Sequence, residues 1–293
     1  SFVGGGGYTY AATGARTFGN QAEGQDSFVG AGDQNVVVGA EAAIVSGGDN
    51  TINEGAPYSS ILGGNRNSVS GEYASVLGGF GNAAIGSYSI VAGGDQDTAG
   101  GTLSFAAGYH ADAVHSGSFV WSDYSSGSAT IKDTAVNQFV ARASGGVYLY
   151  SNEGATVGVK LAAGSGTWAS LSDRNAKTAI VPLDDSAILA KVAALPIAAW
   201  QYKSERGVRH LGPMAQDFYA AFGVGEDDRH ITSIDEDGVA LAAVKALNAQ
   251  NARLNGENAD LRARLATVSD RERRDTAEMR FEIDVLKAAI TRR

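Results

Sequence analysis

The sequence predicts a mixed fold class: an N-terminal β-solenoid and a β-stranded neck, then an α/β segment that ends in a long coiled-coil helix. Three observations predict it. Glycine pairs recur at near-constant intervals over roughly the first 120 residues. After Gly238 no proline interrupts a long run whose apolar residues keep a three-and-four spacing. Between these regions lies a polar seam, Ala169-Ser170-Leu171-Ser172-Asp173-Arg174-Asn175-Ala176-Lys177.

Bulk properties narrow the classes. The 293 residues suffice for two domains or more. There is no cysteine, so disulfide frameworks, cysteine-based zinc sites and thiol chemistry are excluded. The 39 glycines against 4 prolines carry no Gly-X-Y period, which excludes collagen. A net charge of -9 argues against nucleic acid as a partner. No apolar run reaches the ~18 residues of a membrane-spanning helix, so no membrane insertion is expected. The chain starts at Ser1 without a methionine or a charged-then-apolar leader, and it reads as part of a longer protein.

The repeats occupy residues 1–120. The pairs Gly47-Gly48, Gly63-Gly64, Gly78-Gly79 and Gly93-Gly94 are followed by Gly108, at intervals of 16, 15, 15 and 15 residues. Each copy reads as Ser or Ala, two apolar residues, Gly-Gly and a polar turn, as in Ser60-Ile61-Leu62-Gly63-Gly64 and Ser75-Val76-Leu77-Gly78-Gly79. Ser1-Phe2-Val3-Gly4-Gly5 and Ser27-Phe28-Val29-Gly30 are less regular copies, and Asn67, Asn82 and Asp97 fall at matching turn positions. Such a unit holds two short strands and two tight turns. It has too little apolar surface to fold alone, so successive coils must stack. The regular Ile, Val and Leu weigh against a flexible glycine linker. These repeats resemble the head of trimeric autotransporter adhesins. The resemblance implies a parallel β-roll built from three chains on an extracellular surface, and it identifies no ligand.

The neck covers 121–171. Phe139, Val147 and Leu149 mark short strands with Gly145-Gly146 as the turn, and Val157-Gly158-Val159-Lys160-Leu161 marks another.

The seam carries residue types that cut peptide bonds. The Ser172 hydroxyl is next to the Leu171 carbonyl along the chain, and a hydroxyl needs a base before it becomes a nucleophile. Lys177 supplies that base if its pKa is lowered, and Asp173 orients the lysine or stiffens the turn. Taken alone, the pattern reads as an ordinary solvated turn. However, Ser172-Asp173-Arg174-Asn175-Ala176-Lys177 with Ile180 resembles the cleavage motif of the intramolecular chaperone domain of phage endosialidases and tail spikes. The resemblance implies autoproteolysis between Leu171 and Ser172, with Ser172 as nucleophile, Lys177 as base and Asp173 as the adjacent motif acid. Asn175-Ala176 departs from the Arg-Leu of many members and leaves the reactive positions intact.

The resemblance runs on through residues 172–293: Leu195-Pro196-Ile197-Ala198-Ala199-Trp200-Gln201-Tyr202-Lys203, His210-Leu211-Gly212-Pro213-Met214-Ala215-Gln216-Asp217-Phe218, and Ile234 to Leu241. Read without it, Ser186 to Ala194 and Asp217 to Phe222 are short helices, the second stopped by Gly223. Over about 239–293, Val244, Leu247, Leu254, Leu261, Leu265 and Val268 form an a/d seam with Asn251 and Asn258 on it. The spacing weakens at Glu272 and Asp275 and recovers at Met279, Ile283, Leu286 and Ile290. The stripe fits a helix packed on its own domain or a three-chain coil. The charged remainder leaves little else to bury and favours the coil.

His210, His230, Asp227-Asp228 and Asp235-x-Asp237 read as structural or solvated turn residues, and no carboxylate pair qualifies as a glycosidase site. No cofactor or metal is expected. The sequence thus predicts a homotrimeric surface or tail-fibre protein, on a virion or the extracellular surface, with a self-removing folding aid at its C-terminal end. A permanent trimeriser without cleavage and a glycan- or receptor-binding adhesin head are the competing readings.

Overall fold

The structure, a computed structural model, describes residues 1–6, 19–125, 127 and 129–291. The part of the expected head at 7–18 and the last two residues of the expected coil, 292–293, lie outside the described residues. The chain divides into two compact units, Ser1–Ala176 and Lys177–Arg293.

The first unit is a β-solenoid followed by a small antiparallel sheet. Each coil places one short strand in each of two parallel sheets. One sheet has nine strands, from Phe2–Val3 and Phe28–Val29 through Ser60–Ile61, Ser75–Val76 and Ile90–Asp95 to Phe119–Ser122 and Phe139–Arg142. The other has eight, from Gln21–Ala22 through Ser68–Val69 and Thr98–Ala99 to Ile131–Lys132. Each strand sits directly on its equivalent one coil away, for example Ser60 on Ser75 and Ile61 on Val76.

The core is a narrow double column. Val29, Ile44, Ile61, Val76, Val91, Ala106 and Val120 come from the first sheet, and Val37, Ile52, Val69, Ala84, Ala99 and Ala113 from the second; all are fully buried. Burying each Val or Ile stabilises the stack by ~1.5–3 kcal/mol.

A buried polar column runs beside the apolar one. Asn35, Asn50, Asn67, Asn82 and Asp97 are all 0–1% exposed. The amides of Asn35, Asn50 and Asn67 bond the coils on either side: Asn67 Nδ2 donates to Asn50 Oδ1 at 3.0 Å and to Gly79 O at 3.1 Å. The sequence places Asn67, Asn82 and Asp97 in the period at turn positions, and it does not single out Asn35 and Asn50. The side chains of the column turn inward because each coil leaves backbone groups that nothing else satisfies. Glycines make the spacing possible. A Cβ on Gly79 (φ +94°) would lie 2.2 Å from Gly94 O of the next coil.

The solenoid runs further than expected. Phe139–Arg142 pairs in parallel with Phe119–Ser122, so Phe139 belongs to the stack rather than to a neck hairpin. Arg142 closes the end. Its guanidinium donates to Asp123 Oδ1 (3.2 Å), Ala129 O (2.9 Å) and Ser122 Oγ (2.6 Å), satisfying groups that a further coil would otherwise cover. Gly145-Gly146 then leads into a three-stranded antiparallel sheet, Gly146–Tyr150, Gly158–Ala162 and Trp168–Ser170.

The second unit is α/β. Helix α1 (Asp185–Ala194) starts at Asp184, whose carboxylate accepts the N–H groups of Ser186 and Ala187. A hairpin, Ala198–Trp200 with His210–Gly212, leads through Pro213 into α2 (Ala215–Phe222), which ends on Gly223 in the left-handed region. The long helix α3 spans Ser233–Thr291, 59 residues. It begins six residues before the expected position 239, and Gly238 lies inside it. The reason is a threonine N-cap: the Asp235 N–H donates to Thr232 Oγ1 (3.2 Å), and that hydroxyl donates to Asp235 Oδ2 (2.7 Å), which fixes its orientation. Ala242, Ala243 and Ala246 of α3 are buried, and α1 packs on that helix. The predicted seam is exposed along its length, with Leu261 60% and Leu265 69% exposed.

Candidate functional site

The neck sheet sets the geometry of the seam. Its last strand pairs Trp168 with Leu161, Ala169 with Lys160 and Ser170 with Val159. The sheet ends at Ser170, so Leu171 and Ser172 are the first residues past the ladder, both exposed. The chain then makes a single 3-10 turn, Arg174–Ala176.

Asp173 forms that turn. Its Oδ1 accepts the Asn175 N–H at 2.9 Å and the Asn175 Nδ2 at 3.2 Å, and its carbonyl accepts the Ala176 N–H at 3.1 Å. This is the Asx-turn chemistry of a short acidic side chain bonding the backbone two residues on. Asn175, which sequence reasoning treated as a neutral departure, supplies both partners of Oδ1.

Leu171, Ser172, Asp173, Asn175 and Ala176 line one side of a groove of about 780 Å³. The other side is the neck sheet, with Tyr148, Tyr150 and Lys160. Tyr148 and Lys160 face each other across the ladder, so both project from one face, and the Lys160 ammonium lies 5.9 Å from the Tyr148 ring. Sequence reasoning missed these groove residues. The strand was legible, but the cross-strand register that puts Lys160 opposite Tyr148 depends on the loop at 151–157. Lys177, the expected base, opens the second unit, which begins directly after Ala176.

The other polar candidates have structural partners. His210 stacks on Trp200 (4.6 Å between ring centres), and its Nε2 lies 3.2 Å from Glu205 Oε2. Asp227 accepts the N–H groups of Arg229 and His230 and pairs with His230 Nδ1, which together hold its carboxyl below the usual range. Among the described residues, no group of three or more histidines and carboxylates could hold a metal ion.

Residues 172–224 match the model of a peptidase family described as chaperone of endosialidase. The match begins on Ser172 and spans α1, the hairpin and α2. No curated protein matches the chain.

Proposed function

We propose that the segment from Ser172 onward is an intramolecular chaperone that assembles three copies of the chain and then releases itself by cleavage between Leu171 and Ser172. The observation that carries this reading is the coincidence of three boundaries. The neck sheet ends at Ser170, the family match starts at Ser172, and the compact units divide after Ala176.

The reaction needs only this chain. Lys177, in neutral form, takes the proton from Ser172 Oγ as that oxygen attacks the Leu171 carbonyl carbon. The tetrahedral oxyanion is stabilised by backbone N–H groups of the turn. When it collapses, the C–N bond breaks, the proton passes to the Ser172 nitrogen, and Leu171 is left as an ester on Ser172 Oγ. Water hydrolyses the ester, giving a Leu171 carboxylate and restoring the serine hydroxyl. Asp173 and Asn175 keep the turn in one conformation, which holds the hydroxyl near its target and lowers the entropic part of the barrier.

The trimer reading rests on two exposed apolar surfaces. Along α3 the seam of Leu247, Leu254, Leu261, Leu265, Val268, Met279 and Ile283 is uncovered. On the head, the outer face of the nine-stranded sheet carries Phe28, Val45, Leu62, Leu77, Ile90 and Trp121, all more than a third exposed. Threefold packing covers both. We assign three modules: a solenoid head, the neck to Leu171, and the chaperone from 172. We assign the protein to a virion tail fibre or an extracellular surface, a reading the family match supports.

Production of residues 1–171 alone beside the full chain tests the role. The reading expects a heat-resistant trimeric head only from the full chain. A head of equal yield and stability from 1–171 alone contradicts it.

A second reading, a glycan- or receptor-contacting head, is favoured by one feature. Tyr58, Tyr73 and Tyr88 stack at 4.8 and 5.0 Å with 43–51% exposure, each with positive φ. Three exposed aromatic rings stacked in register form a flat apolar strip of the kind on which sugar rings pack. Loss of glycan-array binding in Tyr73→Ala supports this reading, and no binding by the parent removes it.

A further inference from the structure

The asparagine column changes chemistry at one rung. From Asn20 through Asn82 each Oδ1 accepts the backbone N–H of the next rung, as in Asn50 N–H to Asn35 (3.2 Å) and Asn82 N–H to Asn67 (3.0 Å). The amide nitrogens donate to a carbonyl of the next coil: Asn35 to Gly47 O (2.8 Å), Asn50 to Gly64 O (3.0 Å), Asn67 to Gly79 O (3.1 Å) and Asn82 to Gly94 O (3.1 Å). Asp97 takes the next rung. Its N–H donates to Asn82 Oδ1 at 2.9 Å, and its own Oδ1 accepts the Ala111 N–H at 2.7 Å. One oxygen therefore keeps the asparagine role.

The other oxygen takes the place of the donating amide. A Cβ on Gly79 would meet Gly94 O and Asn82 Nδ2, and a Cβ on Gly94 would meet Gly108 O and Asp97 Oδ2 in the same way. Asp97 Oδ2 is buried and has no hydrogen-bond partner. An ionised carboxylate there sets an acceptor against an acceptor in a dry interior, an arrangement that costs the full desolvation of the group. A carboxylic acid has the shape of the amide and supplies the missing donor.

We infer that Asp97 is a proton-carrying rung: in mild acid its Oδ2–H donates to the Gly108 carbonyl as the asparagine amides do, and losing that proton toward neutral pH loosens the coils around it. Burial pushes the Asp97 carboxyl up to about 6; the Ala111 N–H, His110 and the Gly108 N–H from the next coil oppose the rise without cancelling it, the last too poorly placed to count as a partner of Oδ2, and Asp95 in its own coil adds to it. Asp133 is the contrast. It is equally enclosed, but it accepts from the N–H groups of Val114 (2.6 Å) and His115 (2.9 Å). There hydrogen bonding outweighs burial and keeps the carboxyl below its usual value. The sign follows from linkage: with the folded value above the unfolded one, the stabilisation is full below the ordinary carboxylate range and is lost as pH rises through about 6.

Asp97→Asn in the full chain supplies the donor at every pH. Its head transition should melt roughly 5 °C or more above the parent at about pH 8 and close to it at about pH 4. Infrared difference spectra of the parent minus Asp97→Asn should show a carboxylic-acid carbonyl band in mild acid that is gone at about pH 8. An Asp97→Asn protein no more stable than the parent at the higher pH overturns the inference. So does the lack of any acid band removed by the substitution.

Discussion

Ser172, Asp173 and Asn175 do different jobs within four residues, and substitution separates them. Ser172→Ala removes the proposed nucleophile and should leave an intact, folded chain. Asp173→Ala removes both bonds to Asn175, and the turn becomes one conformer among several. Its cleavage should slow by roughly 10–100-fold, a loss of positioning rather than of chemistry, read from the rate of fragment appearance on gels. A rate equal to that of the parent would show that the turn needs no carboxylate. Acid titration tests a second residue. Hydrogen bonds from Ser125 and Ser144 hold the Asp123 carboxyl far below the usual carboxylate range. Its contribution is therefore present above that range and lost as pH falls through and below it. Asp123→Asn should flatten this acid loss of head stability in pH-dependent melting.

At the scale of the element, the solenoid depends on positions that repeat rather than on any single strand. Gly79→Ala places a Cβ against the next coil and a side chain at φ +94°, with a backbone strain of roughly 1–3 kcal/mol before any steric shift. Ile61→Ala empties part of the core column and should cost about 2–5 kcal/mol. Both should lower the head's melting temperature without changing the helical signal of α3. The period, the paired glycines and the apolar column were legible because stacking forces the same residue type into the same place in every coil. The asparagine column was half legible: Asn67, Asn82 and Asp97 stood in register, but the composition of a turn and of a buried ladder is the same. Phe139 was misplaced because Gly145-Gly146 marks a connection whether or not the flanking strands pair. The start of α3 was missed because Gly238 is a weak breaker beside a Thr232–Asp235 cap.

The whole molecule poses a folding problem. A parallel stack has many contacts between residues far apart in sequence, and such structures close slowly. A 59-residue helix forms local contacts first and, if it joins three chains as proposed, raises the concentration of their heads relative to one another. Leu261→Asp on the exposed seam should therefore reduce the yield of trimeric head measured by analytical ultracentrifugation, although residue 261 lies outside the product 1–171. On the proposed release of the aid, a head that unfolds lacks a guide for return, so its persistence becomes kinetic. The start of the family match at Ser172 was legible as a motif, whereas the groove beside it was not, because Tyr148 and Lys160 meet it only through sheet register.

The most direct test is the intact mass of the freshly purified chain beside Ser172→Ala and Lys177→Ala. Self-release predicts two fragments, 1–171 and 172–293, from the parent and a single uncut mass from each variant. A parent that stays whole as a folded trimer, or a Ser172→Ala chain that is still cut at the same bond, would contradict it.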